Sequence, residues 1–263
     1  MMEFSELMDG VQRDGAAWTV TVSDDWLQGR TIYGGLAAAI CLQATLREFT
    51  DLPPLRSAQF AFIGPATGRL RITPTALRRG KSTVFIGVEL NGDDGLATRA
   101  TFCFGTARNS VLNYSAHDSQ PPNAPEACPP FFEKAPSFLN FLQHLDGRLA
   151  GGALPFSGSK EPKMTLWLRH RDPALKPSLV SLLALADAPP PAALAMVTQV
   201  GPISTMTWAI DMLTDTVETR DGWWMIRTTA DTAAGGYSSQ AMTVWNAAGR
   251  PVMTSRQNVA MFM

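Results

Sequence analysis

Between positions 34 and 46 the chain reads Gly-Gly-Leu-Ala-Ala-Ala-Ile-Cys-Leu-Gln-Ala-Thr-Leu, small and apolar at almost every place. A helix there has no polar stripe to turn toward water, so the pattern predicts one buried on all sides. A second such stretch covers 175–187, where Leu179, Leu182, Leu183, Leu185 and Ala186 again spread over more than one face. The surroundings of the two stretches match as well. Each follows a strand-like segment that holds a tryptophan, Trp18 or Trp167, and each precedes a strand with aromatics, 56–62 or 204–210. A glycine-bearing turn comes next (Gly80; Gly235-Gly236), and then a last hairpin whose turns read Asn91-Gly92-Asp93-Asp94-Gly95 and Asn246-Ala247-Ala248-Gly249. Asn, Asp and Gly supply the positive φ that tight antiparallel turns require. Matching signals in one order, about 150 residues apart, indicate one module written twice.

A wholly apolar helix flanked by strands finds its cover most economically inside an antiparallel sheet that curls around it, which is the hot-dog arrangement. The predicted fold class is therefore α+β, a double hot-dog of two tandem modules that share one long sheet with both helices on its concave side. Residues 109–130 contain Asn, Ser, Asp and the prolines Pro121-Pro122, Pro125 and Pro129-Pro130, a composition for an extended, solvated connection. The expected division is an N-terminal module over 1–108, the Pro-rich linker, and a C-terminal module over 131–263. The aromatic-rich stretch 131–156, which ends in Gly151-Gly152 and Pro155, is expected to pack as an embellishment ahead of the second strand-helix unit.

Composition narrows the function classes. A chain of 263 residues with 45% hydrophobic content can bury roughly 70% of its unfolded surface. A net charge of −1 and a sequence pI near 6.3 leave no basic stripe for nucleic acid and no polybasic cluster for an anionic membrane. No apolar run approaches the ~20 residues of a membrane span, and the start Met1-Met2-Glu3-Phe4-Ser5-Glu6 lacks the basic-then-apolar order of a secretory signal, so a cytoplasmic site is expected. Cys41, Cys103 and Cys128 are odd in number and far apart, and read as buried reduced thiols. His117, His144 and His170 are too scattered for a local metal motif, so no metal and no cofactor is expected. Gly80-Lys81-Ser82 imitates the end of a phosphate loop, but Thr75 stands where its first glycine belongs. Without a G-x-S-x-G elbow a serine hydrolase is not expected either. Arg78, Arg79 and Lys81 form a local basic cluster, read as a solvated hairpin end rather than a phosphate site.

Five features taken in order carry a family resemblance over nearly the whole chain: the Gly34-Gly35 helix start, the Arg56-Ser57 strand, Arg79-Gly80-Lys81-Ser82, the helix end Leu185-Ala186-Asp187, and the closing Ser255-Arg256-Gln257. The sequence resembles the double hot-dog acyl-CoA thioesterases of the acyl-CoA thioesterase II type. That resemblance implies hydrolysis of acyl-CoA to free fatty acid and coenzyme A, without a covalent intermediate, by a water held by an Asp, a Thr and a Gln of the second module. Asp187 matches the aspartate and Gln257 the glutamine, while Pro202 stands where the threonine belongs and has no hydroxyl.

The residues themselves add physical reasons. Asp187 ends an apolar helix before Ala188-Pro189-Pro190-Pro191, where the negative end of the helix dipole and lost hydration both raise a carboxyl pKa toward general-base use. Its plain alternative is a solvated turn carboxylate. In the closing strand Gln257, Val259 and Met261 share one face, so Gln257 points inward among apolar neighbours and needs a partner. A register shift would let Ser204 or Thr205 hold the water in its place, and Ser204 is taken as the substitute hydroxyl, with Thr205 and Trp208 as substrate contacts; otherwise part of the machinery is lost. Gly35 is expected to offer a free first-turn amide to a thioester carbonyl, although paired glycines also serve close packing. Met206, Met212, Met242, Met253 and Met261 fall in second-module strands, either as lining of an acyl slot or as ordinary core. Two alternatives stay open: a non-catalytic acyl-CoA or lipid-binding protein of the same fold, and an enoyl-CoA hydratase-like activity. Sheet edges left unpaired by two modules lead to an expected homo-oligomer.

Overall fold

The structure, a computed structural model, describes residues 1–117 and 123–263. After a short helix α1 (Phe4–Asp9), the first half contains β1 (Gln12–Asp14), β2 (Ala17–Val22), a small ribbon of β3 (Leu27–Gln28) and β4 (Thr31–Ile32), and α2 (Gly34–Glu48). It continues with β5 (Leu55–Phe62), β6 (Gly68–Arg79), β7 (Thr83–Gly92) and β8 (Gly95–Gly105). The second half contains β9 (Leu145–Gly152), β10 (Lys163–His170), α3 (Leu179–Ala186), β11 (Ile203–Met212), β12 (Trp224–Ala234), β13 (Tyr237–Asn246) and β14 (Pro251–Met261). Twelve strands form one sheet in the order β1-β2-β6-β7-β8-β5-β11-β14-β13-β12-β10-β9, antiparallel throughout. The halves join where β5 pairs with β11, with Phe60 opposite Trp208 and Ala58 opposite Ile210. This is the double hot-dog architecture that the repeated pattern predicts.

Helix α2 behaves as its composition demands. Leu36, Ile40 and Leu42 are fully buried, each worth about 1.5–3 kcal/mol over exposure. Its one buried hydroxyl, on Thr45, is satisfied within the helix by donating to the Cys41 carbonyl at 2.8 Å. Helix α3 is shorter than its apolar run suggests. It begins after Ser178, whose side chain closes a capping box with Ser181, because Pro177 disfavours a helical conformation at the residue before it. The β12–β13 hairpin turns on Gly235 and Gly236, both left-handed at φ 60° and 81°, which a side chain would resist.

Three details differ from the sequence reading. Residues 145–152, expected within an embellishment, form the edge strand β9; three glycines mask its strand pattern, and Gly147 is needed because a Cβ there would lie 2.5 Å from the Phe132 ring. Cys103 is half-buried, since alternate residues of β8 face outward, whereas Cys41 and Cys128 are buried; all three thiols are free. The linker is solvated along 106–117, yet it is fastened at points within it. The indole N–H groups of Trp245 and Trp167 donate to the carbonyls of His117 (2.5 Å) and Asn123 (2.9 Å), and Pro125 and Cys128 are buried. Asp118, Ser119, Gln120 and the Pro121-Pro122 pair of the predicted linker lie outside the described residues.

Both ends of the sheet are blunted. Strand β1 is three residues long and carries Arg13 and Asp14, while β9 is partly covered by its own chain, with Phe131 N–H bonded to Gly147 O and Leu149 N–H to Pro129 O. No described helix is long and apolar enough to cross a membrane.

Candidate functional site

The sheet curls so that the C-terminal end of α3 meets the N-terminal end of α2, one helix from each half. Asp187 caps α3. Opposite it stand Tyr33, the N-cap of α2, and the two glycines. The fit allows no side chain on either glycine: a Cβ on Gly34 would lie 2.7 Å from Asp187 Oδ2, and one on Gly35 would lie 2.4 Å from the Ala184 carbonyl oxygen. Tyr33, buried, donates its hydroxyl to that same Ala184 carbonyl at 3.3 Å, which ties the two helix ends together. The Gly34 and Gly35 amides precede the first intrahelical donors, Leu36 and Ala37, and the Gly35 amide is aimed at the Asp187 carboxylate.

Burial pushes the Asp187 carboxyl up to about 7, against the downward pull of hydrogen bonds from Gln257 and Gly35. The residue keeps some accessible surface, so water can touch it, while protein atoms crowd its carboxylate. A carboxyl poised there can exchange a proton near neutrality. Gln257, 5% exposed, donates through Nε2 to Asp187 Oδ1 at 2.5 Å. Its inward orientation follows from the alternation of β14, where Val259 and Met261 are buried on the same face.

Behind Gln257 lies a residue that the sequence reading passes over. Gln240 of β13, the Cα partner of Gln257, is 0% exposed and donates through Nε2 to Gln257 Oε1 at 2.6 Å. Its own Oε1 accepts the backbone N–H of Ala192 at 2.9 Å. The signal was available: Ser238, Gln240, Met242 and Val244 alternate onto one buried face, the pattern that singles out Gln257.

The register of β11 separates Ser204 from Thr205. Counting back by twos from the inward Trp208 puts Met206 and Ser204 inside, but a bulge between Thr205 and Thr207 resets the alternation. Thr205 then pairs with the fully buried Val259 and shares the face of Gln257, while Ser204 pairs with Ala260 and is exposed. Pro202 precedes the strand and contributes its carbonyl to the Phe262 N–H at 2.9 Å. Trp208 is the Cα partner of both Gln257 and Phe60, and its ring stacks 5.6 Å from Phe60. Among the described residues its buried indole N–H meets no acceptor. Gly35 touches the carboxylate itself rather than standing apart as a free donor. In the basic cluster, Arg79 is committed to Asp51 through two contacts of 2.8 and 3.1 Å. Cavities of about 720 and 310 Å³ open elsewhere, one beside Arg148 and Arg171 and one beneath α1, and Asp187, Gln240 and Gln257 line neither.

Solved structures share this fold along nearly the full chain. A conserved hot-dog protein of unknown function from Alicyclobacillus acidocaldarius superposes with a TM-score of 0.86 at 24% identity, over 97% of this chain and 98% of that one. A putative thioesterase II from Thermobifida fusca gives 0.83 at 21%, over 100% and 98%. An acyl-CoA thioesterase II from Mycobacterium marinum gives 0.75 at 19%, over 98% and 97%. No curated protein matches the sequence. The family model for the acyl-CoA thioesterase N-terminal domain matches residues 22–105, and that for the C-terminal domain matches residues 125–261. The two models together span most of the chain, in the order of its two halves, and the chain belongs to the acyl-CoA thioesterase family as a thioester hydrolase.

Proposed function

We propose that the protein hydrolyses fatty acyl-CoA thioesters by direct attack of water, with Asp187 as general base. What supports this reading is the Asp187 carboxyl, which burial pushes up to about 7 and which Gln257 grips through Oδ1. Water attacks the thioester carbon while its proton passes to Asp187. The tetrahedral oxyanion then collapses, the C–S bond breaks, and the proton on Asp187 goes to the departing thiolate. Carboxylic acid and coenzyme A leave, and Asp187 is restored as its anion. Gln257 keeps the carboxylate oriented, and Thr205 takes the hydroxyl role that Pro202 lacks. Trp208, whose buried indole N–H has no acceptor among the described residues, stands beside Gln257 as the spare donor of the site. Both halves of the site come from one chain, so the chemistry does not require self-association. A cytoplasmic setting agrees with the free thiols.

The test is thiol release across a series of acyl-CoA chain lengths, with wild type beside Asp187→Asn. The expected result is turnover that drops at least ~10²-fold in the variant while acyl-CoA binding persists. An inert wild type that still binds acyl-CoA replaces this reading with that of a binding protein, and full activity in Asp187→Asn removes the base.

A further inference from the structure

The hydrogen-bond chain behind Asp187 has a direction, and one residue sets it. We propose that Gln240 is a positioning residue that fixes which way round the Gln257 amide stands, so that Gln257 always presents its NH2 to Asp187. The inference deepens the thioesterase reading and rests on it for the meaning of Asp187.

An amide side chain looks nearly the same to its surroundings when flipped, so Gln257 in isolation has no reason to point its nitrogen rather than its oxygen at the carboxylate. Its neighbour removes the ambiguity. Gln240 is anchored at Oε1 by the backbone N–H of Ala192, and a backbone N–H only donates. The Gln240 oxygen is thereby committed to Ala192, which turns its Nε2 toward Gln257. Gln257 must then receive at Oε1 and donate from Nε2 to Asp187 Oδ1. The polarity of three side chains thus originates in one peptide group.

The placement of that peptide group is itself determined. Asp187 and Ala192 are separated by Ala188 and three prolines, none of which has an N–H, so after Ala188 the next backbone donor in the chain is Ala192. The stiff proline run holds that donor at a fixed reach from the carboxylate, and the path from Asp187 through Ala192, Gln240 and Gln257 closes on itself. A donor fixed at Oδ1 favours the carboxylate form, and the other oxygen, Oδ2, is left toward α2. A flipped Gln257 would set an amide oxygen against Asp187 and favour the protonated acid, which cannot act as a base.

The experiment follows the Asp187 carboxyl by 13C NMR titration in wild type, Gln240→Met and Gln240→Glu, with kcat and KM measured over the same pH range. Tyr33 is the titratable group coupled to Asp187; its buried hydroxyl titrates far above the range, so the midpoint reads Asp187. Gln240→Met keeps the shape but removes both donor and acceptor. It is expected to raise the Asp187 proton affinity about tenfold and to lower kcat at neutral pH by a similar factor with KM unchanged. Gln240→Glu, while protonated, restores a donor toward Gln257 and should match wild type; once ionised it offers only acceptors, and a new descending limb should cut activity at alkaline pH. An unmoved Asp187 midpoint and wild-type kcat in Gln240→Met overturn the proposal. If the midpoint moves but no variant, wild type included, releases thiol, the positioning stands and the thioesterase reading falls.

Discussion

Gly35 and Asp187 meet head to tail across the two halves of the chain, so closely that a Cβ on the glycine would lie 2.9 Å from the aspartate Cβ. The contact sets the positive end of α2 against the acidic cap of α3 and makes the site a joint product of both modules. A methyl group at this junction must push the helix ends apart, since the Ala184 carbonyl oxygen would be nearer still, at 2.4 Å, and backbone cannot swing aside. Gly35→Ala should therefore lose about 2–3 kcal/mol of stability to overpacking. Thiol release should fall along with the denaturation midpoint. A variant as stable and as active as wild type would mean that the helices are not held at this spacing.

The bulge in β11 separates two neighbouring hydroxyls that the sequence alone does not distinguish. Thr205→Val removes the inward hydroxyl at nearly constant volume and is expected to lower kcat about tenfold, the scale of one lost hydrogen bond. Ser204→Ala lies on the exposed face and should be indistinguishable from wild type. The reverse ranking, read from steady-state kinetics of both variants, would return the role to Ser204.

These cases mark how far the sequence can be read. The two helices, the paired strands and the inward face of Gln257 follow from periodicity, because burial imposes a period of two or of 3.6 that composition records directly. The choice between Ser204 and Thr205 stays open in the sequence because one extra residue at a bulge inverts the alternation, and nothing in Ser204-Thr205-Met206-Thr207 places that residue. Tyr33 fails for another reason: its value lies in reaching Ala184, 151 positions away, a contact that exists once two modules share a sheet. Gln240 lay within reach of the alternation rule and needed only to be asked for its partner.

The outer face of the second module carries its own device. Trp167, Trp223 and Trp245 cluster there with Cys128, and the indole N–H groups of Trp167 and Trp245 hold the linker at Asn123 and His117. Trp245→Phe keeps most of the ring but loses the donor, so about 1 kcal/mol of stability should go, with a loosened strap near His117. Limited proteolysis should then cut between Thr106 and Asn123 several times faster than in wild type. Equal cleavage rates would show that the hydrogen bond does not restrain the linker.

A base kept near neutrality costs the fold something, and the cost has a definite sign. The unfolded chain gives up the Asp187 proton near its ordinary 3.8, the folded chain near 7. Between these values the native state binds the extra proton, so raising the pH weakens it, and the full penalty is reached above pH 7. The gap of about three pH units corresponds to at most about 4 kcal/mol, and the residue's remaining exposure brings this to on the order of 2 kcal/mol. His170 works in the opposite sense. Burial lowers it from 6.5 to about 4, so its contribution is intact above 6.5 and lost as the pH falls toward 4. The two slopes oppose each other in the wild type, which should look nearly flat with respect to these groups between pH 4 and 6.5. Asp187→Asn removes one of them. Urea denaturation of both proteins should give similar stabilities at pH 4 and an advantage for the variant that grows up to pH 7 and then levels off, the His170 term cancelling in the difference. A variant less stable than wild type at pH 8 would mean that the Asp187 carboxylate is stabilised by its surroundings, and that its burial does not prepare it as a base.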